Sequence, residues 1–280
     1  MRFLPGALVC AGLSIAVPTF GLASPIVRSG SGIDASSITA TRDLFRADLG
    51  GGVVAGANGS FGGLRREINW DGVPDALSAP ANLPANFFNV NSPRGAVFSG
   101  PGTGFQVSAN AGVAPTEFGN INPTYPSLFA VFSAQRLFTG VGSNIVDVNF
   151  FVAGTAIPGL TTGFGAVFTD VDLASTTSIQ YFDINGASLG TFFVSAFPGN
   201  ETFSFLGVSF TEGAIVSRVR ITSGNAAFGA GVNETALIDL VAMDDFLYGE
   251  PKRAVPEPSA VLLLSVGLVG WMASRRRRSR

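Results

Sequence analysis

The chain has 280 residues, among them 36 Gly, 16 Pro, 25 Phe, one Cys and no His. Without histidine there is no Ser-His-Asp or Cys-His catalysis, no His-ligated zinc and no imidazole acid–base group near neutral pH. Charged residues make up 13% of the chain and the formal net charge is −2, so there is no excess of positive charge to attract nucleic acid.

Residues 1–23 have the pattern of a secretory signal peptide. Arg2 supplies a positive charge, residues 3–17 are mostly apolar or small, and Gly21-Leu22-Ala23 places small residues at positions −3 and −1 of a cleavage site. The single cysteine, Cys10, lies inside this segment. Cleavage is therefore predicted to leave an exported protein with neither a thiol nor a disulfide.

Two regions of different character follow the predicted signal peptide. Residues 24–40 are rich in Ser and Gly and are predicted to form a flexible N-terminal segment. Residues 41–249 are predicted to form a β-sandwich domain, because they contain runs of alternating apolar residues and no sustained apolar stripe with the 3.6-residue spacing of a helix.

The second half of this domain gives the clearest strand signals. Val146, Val148 and Phe150 alternate with polar residues, as in a half-buried strand. Asn185-Gly186 separates two β-rich runs, and Asn-Gly in that position is a strong indication of a hairpin. In this half, strands are predicted at residues 145–152, 164–168, 178–182, 189–194, 203–210, 216–222 and 237–248.

The first half gives weaker signals, with short strands predicted at residues 65–70, 95–98, 105–107, 128–133 and 136–138. Short strands joined by Gly, Pro and Asn are typical of antiparallel sheets. The predicted fold class is therefore all-β, a jelly-roll-like antiparallel β-sandwich, with a single closed barrel as the alternative. The many phenylalanines are expected to fill the space between the two sheets.

Carboxylates are the side chains best suited to ligation or chemistry in this sequence. They lie close together at Asp71 and Asp75, at Asp170 and Asp172, and at Asp244 and Asp245 near Asp239. Ca²⁺ takes six to eight oxygen ligands, which adjacent acids near strand ends can supply. The alternative is that these acids cap turns and face solvent.

The body also resembles jelly-roll carbohydrate-binding modules, in which an aspartate on the last strand often helps to hold a structural Ca²⁺. This resemblance implies Asp245 as the first candidate calcium ligand. Asp71, Asp172 or Glu67 would be its partners.

Glycoside hydrolysis is the main alternative function, because it needs two carboxylates and no histidine. Sugar-binding grooves favour Trp and Tyr, whose rings carry a polar edge. The body has few of these residues, namely Trp70, Tyr125, Tyr181 and Tyr248. A secreted carbohydrate-active enzyme with paired carboxylates therefore remains the alternative, and the body is expected not to be an enzyme.

The C-terminal end has the pattern of a membrane anchor. Residues 250–258 are polar and rich in proline and are predicted to be a linker. Residues 259–274 are uncharged and are predicted to form a transmembrane helix of about 24 Å, which spans a core of about 30 Å by local thinning. The tail at 275–280 contains Arg275, Arg276, Arg277 and Arg278, a positive-inside stop signal that places the body outside the cytoplasmic membrane.

The order of these parts resembles the PEP-CTERM sorting signal of exported Gram-negative bacterial proteins. Pro256, Glu257 and Pro258 match the recognition triplet, followed by the apolar helix and the arginine cluster. The two prolines forbid helix at this junction and leave an extended backbone. The resemblance implies that this protein is a substrate of an exosortase, an integral-membrane, cysteine protease-like enzyme that processes the tail near the triplet.

The resemblance implies a membrane-anchored precursor that contacts the cytoplasmic membrane transiently and then reaches the cell surface or an exopolysaccharide biofilm matrix. The body would be structural or adhesive, or bind glycans weakly. A surface protein whose tail is never cut is a further alternative. Residues 24–257 hold 11 basic and 19 acidic residues, so this part has a formal charge of −8 and suits cation-bridged association with a matrix.

Overall fold

A computed structural model describes residues 24–51 and 64–254, and β-strands dominate this part of the chain. Its strands are β1 (Pro25–Gly32), β2 (Arg65–Ile68), β3 (Ala96–Ser99), β4 (Gly104–Val107), β5 (Phe138–Val141), β6 (Ile145–Phe150), β7 (Gly159–Leu160), β8 (Gly163–Thr169), β9 (Ser178–Phe182), β10 (Ser188–Phe193), β11 (Phe203–Phe210), β12 (Arg218–Thr222), β13 (Ala242–Gly249) and β14 (Lys252–Arg253). Two α-helices accompany them, α1 (Ala35–Asp48) and α2 (Phe87–Val90).

Two antiparallel sheets face each other. The larger has the order β1-β11-β8-β13-β5-β4, with β2 also paired to β13, and the smaller has the order β10-β9-β12-β6-β3. Both sheets contribute to one apolar core, with Val148 and Ile221 from the smaller sheet and Phe164 and Phe246 from the larger. The predicted all-β antiparallel sandwich is therefore confirmed.

The hairpin predicted around Asn185-Gly186 joins β9 to β10. Gly186 has a φ of +79°, a left-handed conformation that glycine adopts without steric cost. The Asp183 carboxylate accepts hydrogen bonds from the backbone N–H groups of Asn185 (2.9 Å) and Ala187 (2.8 Å). Local turn chemistry thus explains why this hairpin was predictable from a few residues.

The N-terminal segment 24–40, predicted to be flexible, instead forms β1 and the beginning of α1. All eight residues of β1 pair with β11, and this backbone pairing requires no alternation of apolar side chains. Helix α1 begins where the Asp34 carboxylate accepts a hydrogen bond from the Ser37 N–H (3.0 Å), an N-cap interaction. The helix then covers the outer face of the larger sheet.

This cover gives the larger sheet a second buried face. Ile38 and Phe45 of α1 pack against Val167 of β8 and Phe205 of β11. Strand β11 is consequently buried on both sides, although a strand of a two-layer sandwich has one solvent face. The molecule therefore has three layers at this position.

The predicted linker 250–258 begins inside the folded body. Glu250 is buried and forms an ion pair with the buried guanidinium of Arg66. Lys252 and Arg253 form β14, which pairs with β7. The described chain is thus held against the body up to Arg253.

Some predicted strand limits also differ. Residues 128–133 form no strand, and the closing strand β13 starts at Ala242 rather than at 237. The predicted signal peptide, sorting triplet, transmembrane helix and arginine tail lie outside the described residues. Within the described part, no helix is long and apolar enough to cross a membrane.

Candidate functional site

Three carboxylates converge where β8 ends. Asp170 directly follows the last residue of β8 and Asp172 lies two residues further on, whereas Glu234 belongs to the loop that precedes β13. One carboxylate oxygen from each residue lies within 4.8 Å of the other two. Asp170, Asp172 and Glu234 are called the acidic triad below.

Hydrogen bonds join the loops around the triad. The Asp170 N–H donates to the Thr202 carbonyl (3.1 Å), which extends the ladder between β8 and β11. The Asp172 Oδ1 accepts from the Gly199 N–H (2.7 Å). The Asp172 N–H donates to Asp239 Oδ1 (3.0 Å). Three segments far apart in sequence are therefore held together at this point.

Asp239 is buried and positions Asp172 through its own hydrogen bonds. Its carboxylate also accepts from the Thr176 hydroxyl, and its N–H donates to Asn225 Oδ1 (2.9 Å). Burial is the main reason that the pKa of Asp239 is raised. Gly224 approaches closely here, because a Cβ on it would lie 2.1 Å from the Asp239 carbonyl oxygen.

The triad brings three carboxyl groups together without a compensating basic residue among the described residues. Asp170 has an exposed fraction of 0%, and neither of its carboxylate oxygens has a hydrogen-bond partner. Glu234 Oε2 is likewise buried without a partner. Burial, followed by the adjacent Glu234, raises the pKa of Asp170 to about 10, and burial is the main reason that the pKa of Glu234 is raised to about 7.

No arginine or lysine of the described residues forms an ion pair with a triad carboxylate. Asp172 and Glu234 line a cleft of about 510 Å³, so the triad is open to solvent on one side. The cleft is lined by Leu128, Asp172, Leu173, Pro198, Asn200, Glu234, Thr235 and Ala236. This lining offers oxygen ligands and contains no aromatic ring.

A second acidic group lies inside β13. Asp244 and Asp245 occupy a bulge between Met243 and Phe246, where the register with β8 shifts. The Asp244 carboxylate accepts from the Phe132 N–H (2.6 Å) and from the Ser133 N–H and hydroxyl. Ser133 Oγ also contacts Asp245 Oδ1 (2.7 Å). Asp244 thereby fastens the segment before β5 to the sheet.

The structure divides the predicted calcium ligands between two places: Asp245 interacts electrostatically with Asp71 and Glu67, whereas Asp172 lies elsewhere. Asp71 interacts electrostatically with Asp245, and burial, followed by that charge, raises the pKa of Asp71 to about 6. Asp172 belongs instead to the acidic triad. The fourth predicted ligand, Glu67, forms ion pairs with Arg46 (2.7 Å) and Arg65 (2.9 Å).

Sequence inspection paired Asp170 with Asp172 but missed Glu234. The pairing is visible because the two aspartates lie within three residues after the end of a largely apolar strand. Glu234 is far along the chain, and no local spacing connects it to the aspartates. Only the packing of the loop before β13 against the end of β8 brings it into the site.

The C-terminal end matches a known protein-sorting family. A family model described as the PEP-CTERM protein-sorting motif matches residues 254–278. The chain carries a PEP-CTERM sorting motif. The matched residues include the Pro256-Glu257-Pro258 triplet and the cluster Arg275–Arg278. A PEP-CTERM motif implies an exported protein with a membrane-anchored precursor that an exosortase processes.

Outside the PEP-CTERM motif, similarity to known proteins is low. No curated protein matches the sequence. Among solved structures, the enzymatically active domain of tailspike protein 4 from bacteriophage CBA120 is similar over 59% of this chain and 20% of that chain, with 15% identity and a TM-score of 0.28. The chain spans one fifth of that domain, and a likeness of this degree transfers no activity.

Proposed function

We propose that this protein is a surface or extracellular-matrix protein whose β-sandwich has a structural or adhesive role and is not an enzyme. The observation that carries the proposal is the PEP-CTERM motif at residues 254–278. In the precursor, the apolar segment predicted at residues 259–274 holds the protein transiently in the cytoplasmic membrane with the arginine tail inside. Exosortase then separates the body from this anchor.

The position of the triplet supports this order of events. Strand β14 ends at Arg253, so Pro256 lies three residues beyond the last paired residue of the body. Cutting near the triplet therefore leaves every described strand in the released protein.

The surface of the body is more consistent with an adhesive role than with a sugar-binding groove. Trp70, Tyr125, Tyr181 and Tyr248 are all buried in the apolar clusters. Within the described residues, no Trp or Tyr is thus available as a platform for a sugar ring. Association with an exopolysaccharide would instead use the acidic surface of the body and bridging cations.

Mass spectrometry of the protein from an exosortase-bearing host tests the sorting step. Wild-type protein is expected at the cell surface or in the medium without Arg275–Arg280, because the tail is removed with the anchor. Glu257→Ala is expected to remain full length in the membrane fraction. Glu212→Ala, which alters an exposed glutamate of the body, serves as the control and is expected to be processed normally. An intact arginine tail on exported wild-type protein would contradict the proposal.

Incubation of the exported protein with a panel of bacterial polysaccharides tests the non-enzymatic role. No new reducing ends are expected, and the protein is expected to remain with the matrix during washing. Cleavage that disappears in Asp170→Asn or Asp245→Asn would instead establish the two-carboxylate enzyme.

A further inference from the structure

The acidic triad contains a buried acid with unsatisfied oxygens. Asp170 is fully buried, and no N–H or hydroxyl group of the described residues donates to either of its carboxylate oxygens, whose polar neighbours are the other two carboxyl groups within 4.8 Å. A buried polar group without a partner costs free energy, and an unpaired buried charge costs more. Three acids in one place without a basic residue therefore require protons or a bound cation.

We propose that Asp170, Asp172 and Glu234 bind one Ca²⁺ ion. The two oxygens of Asp170 and Oε2 of Glu234 accept from no N–H or hydroxyl group of the described residues and are free to face an ion. Asp172 contributes its second oxygen, because its Oδ1 already accepts from Gly199. Asp239 is a positioning residue, since its own carboxylate oxygens hold the Asp172 N–H and the Thr176 hydroxyl.

The donor set favours Ca²⁺ over other metals. All three ligands are carboxylates, which suit hard cations, whereas zinc sites are dominated by Cys and His. Ca²⁺ accepts six to eight oxygens in flexible geometry, and the open side of the cleft admits the water molecules needed to complete that number. Mg²⁺ demands near-ideal octahedral geometry and holds its own water more strongly.

Bound Ca²⁺ would link three parts of the fold. Asp170 and Asp172 extend from β8, Glu234 lies in the loop before β13, and the Gly199 N–H connects the loop before β11 to Asp172. Residues 24–254 contain no cysteine, so no disulfide performs this linking role. The ion thereby fastens the loop that carries Glu234 to the end of β8.

Calorimetric titration of the full-length chain with CaCl₂ alone, after stripping with a chelator in detergent, tests the site. One ion per chain is expected, with a Kd of about 10⁻⁴–10⁻³ M, the range of extracellular calcium modules. Asp170→Asn and Glu234→Gln are each expected to weaken binding at least about tenfold, since each removes one carboxylate charge. Glu234 is half-buried in a loop, so its variant keeps the test valid if Asp170→Asn folds poorly. Asp43→Asn, which changes an exposed acid of α1, is the matched control and is expected to bind normally.

Limited proteolysis provides an independent readout. Ca²⁺ is expected to protect residues 231–238 in wild-type protein and in Asp43→Asn, and to give no protection in Glu234→Gln. Absence of binding at millimolar Ca²⁺ would overturn the proposal. So would binding that survives in Glu234→Gln but is lost in Asp245→Asn, because the ion would then occupy the group inside β13. Binding of Mg²⁺ as tight as that of Ca²⁺ would overturn the choice of metal.

Discussion

Asp71 makes the stability of the sandwich depend on pH. Burial, followed by the charge of Asp245, raises the pKa of Asp71 from its ordinary value of 3.8 to about 6. The folded state therefore binds this proton more tightly than the unfolded state does. The resulting stabilisation is complete below about pH 4 and is lost as pH rises through about 6.

Asp71→Asn is accordingly expected to raise the melting temperature relative to wild type at pH 7 and to have a smaller effect at pH 4. The asparagine stays neutral over this range, so the variant lacks the pH-dependent contribution that Asp71 makes to the free energy of unfolding. Melting curves in chelator across pH 4 to 7.5 measure this difference.

Asp43→Asn provides a control whose melting difference from wild type is expected to stay nearly constant above about pH 4, because the pKa of Asp43 is lowered. Burial raises the pKa of Asp43, but the ion pairs with Arg42 and Arg46 outweigh it and leave the pKa lowered. Stabilisation by Asp43 is present above its unfolded pKa and is lost as pH falls through the lower folded value. A melting difference for Asp71→Asn that stayed constant with pH would show that Asp71 does not titrate in this range.

At the scale of elements, α1 depends on a close approach to β11. Phe45 lies against Phe205, with ring centroids 5.7 Å apart. A Cβ placed on Gly207 would meet the Phe45 ring at 2.6 Å, which is closer than real Cβ contacts. The absence of a side chain at Gly207 is therefore what lets this ring sit on the sheet.

Gly207→Ala is expected to destabilise the protein by about 1–3 kcal/mol, because overpacking a filled core forces side chains or backbone to shift. Gly72→Ala is the matched control, since a Cβ there has no atom within 4 Å and Gly72 lies outside the left-handed region. Chemical denaturation of both variants measures the difference. Equal unfolding free energies would mean that α1 does not press on β11 as described.

At the scale of the whole molecule, the junction with the sorting motif is part of the fold. Arg66 and Glu250 form a fully buried ion pair, with a second hydrogen bond of 3.0 Å. This pair fixes the end of β13 just before β14. The released protein is therefore expected to keep a defined C-terminal end.

Glu250→Gln is expected to cost about 3–5 kcal/mol of stability, because it removes the charged partner from a buried ion pair with Arg66. The variant is also expected to be trimmed by proteases at residues 250–253 after export. Lys252→Gln, which removes an exposed charge in β14, is the control and is expected to match wild type. Chemical denaturation and the C-terminal mass of the exported protein check both effects, and a variant as stable and as intact as wild type would contradict them.

Sequence patterns were sufficient to predict the turns and strands whose conformation depends on neighbouring residues. The Asn185-Gly186 turn and the alternating buried Val146, Val148 and Phe150 of β6 were predicted correctly, because strand periodicity and turn conformation involve neighbouring residues. The sorting motif was equally readable, since its prolines, apolar run and arginines are contiguous.

Contacts between segments far apart in sequence determined the features that the sequence did not predict. Residues 24–40 lack apolar alternation, yet they are ordered because β11 offers a strand edge and an apolar outer face. Glu234 joins Asp170 and Asp172 because two loops meet at the end of β8. The sequence by itself therefore determined the sorting motif and an all-β body, whereas the convergence of three acids arose from packing between segments that no spacing in the sequence relates.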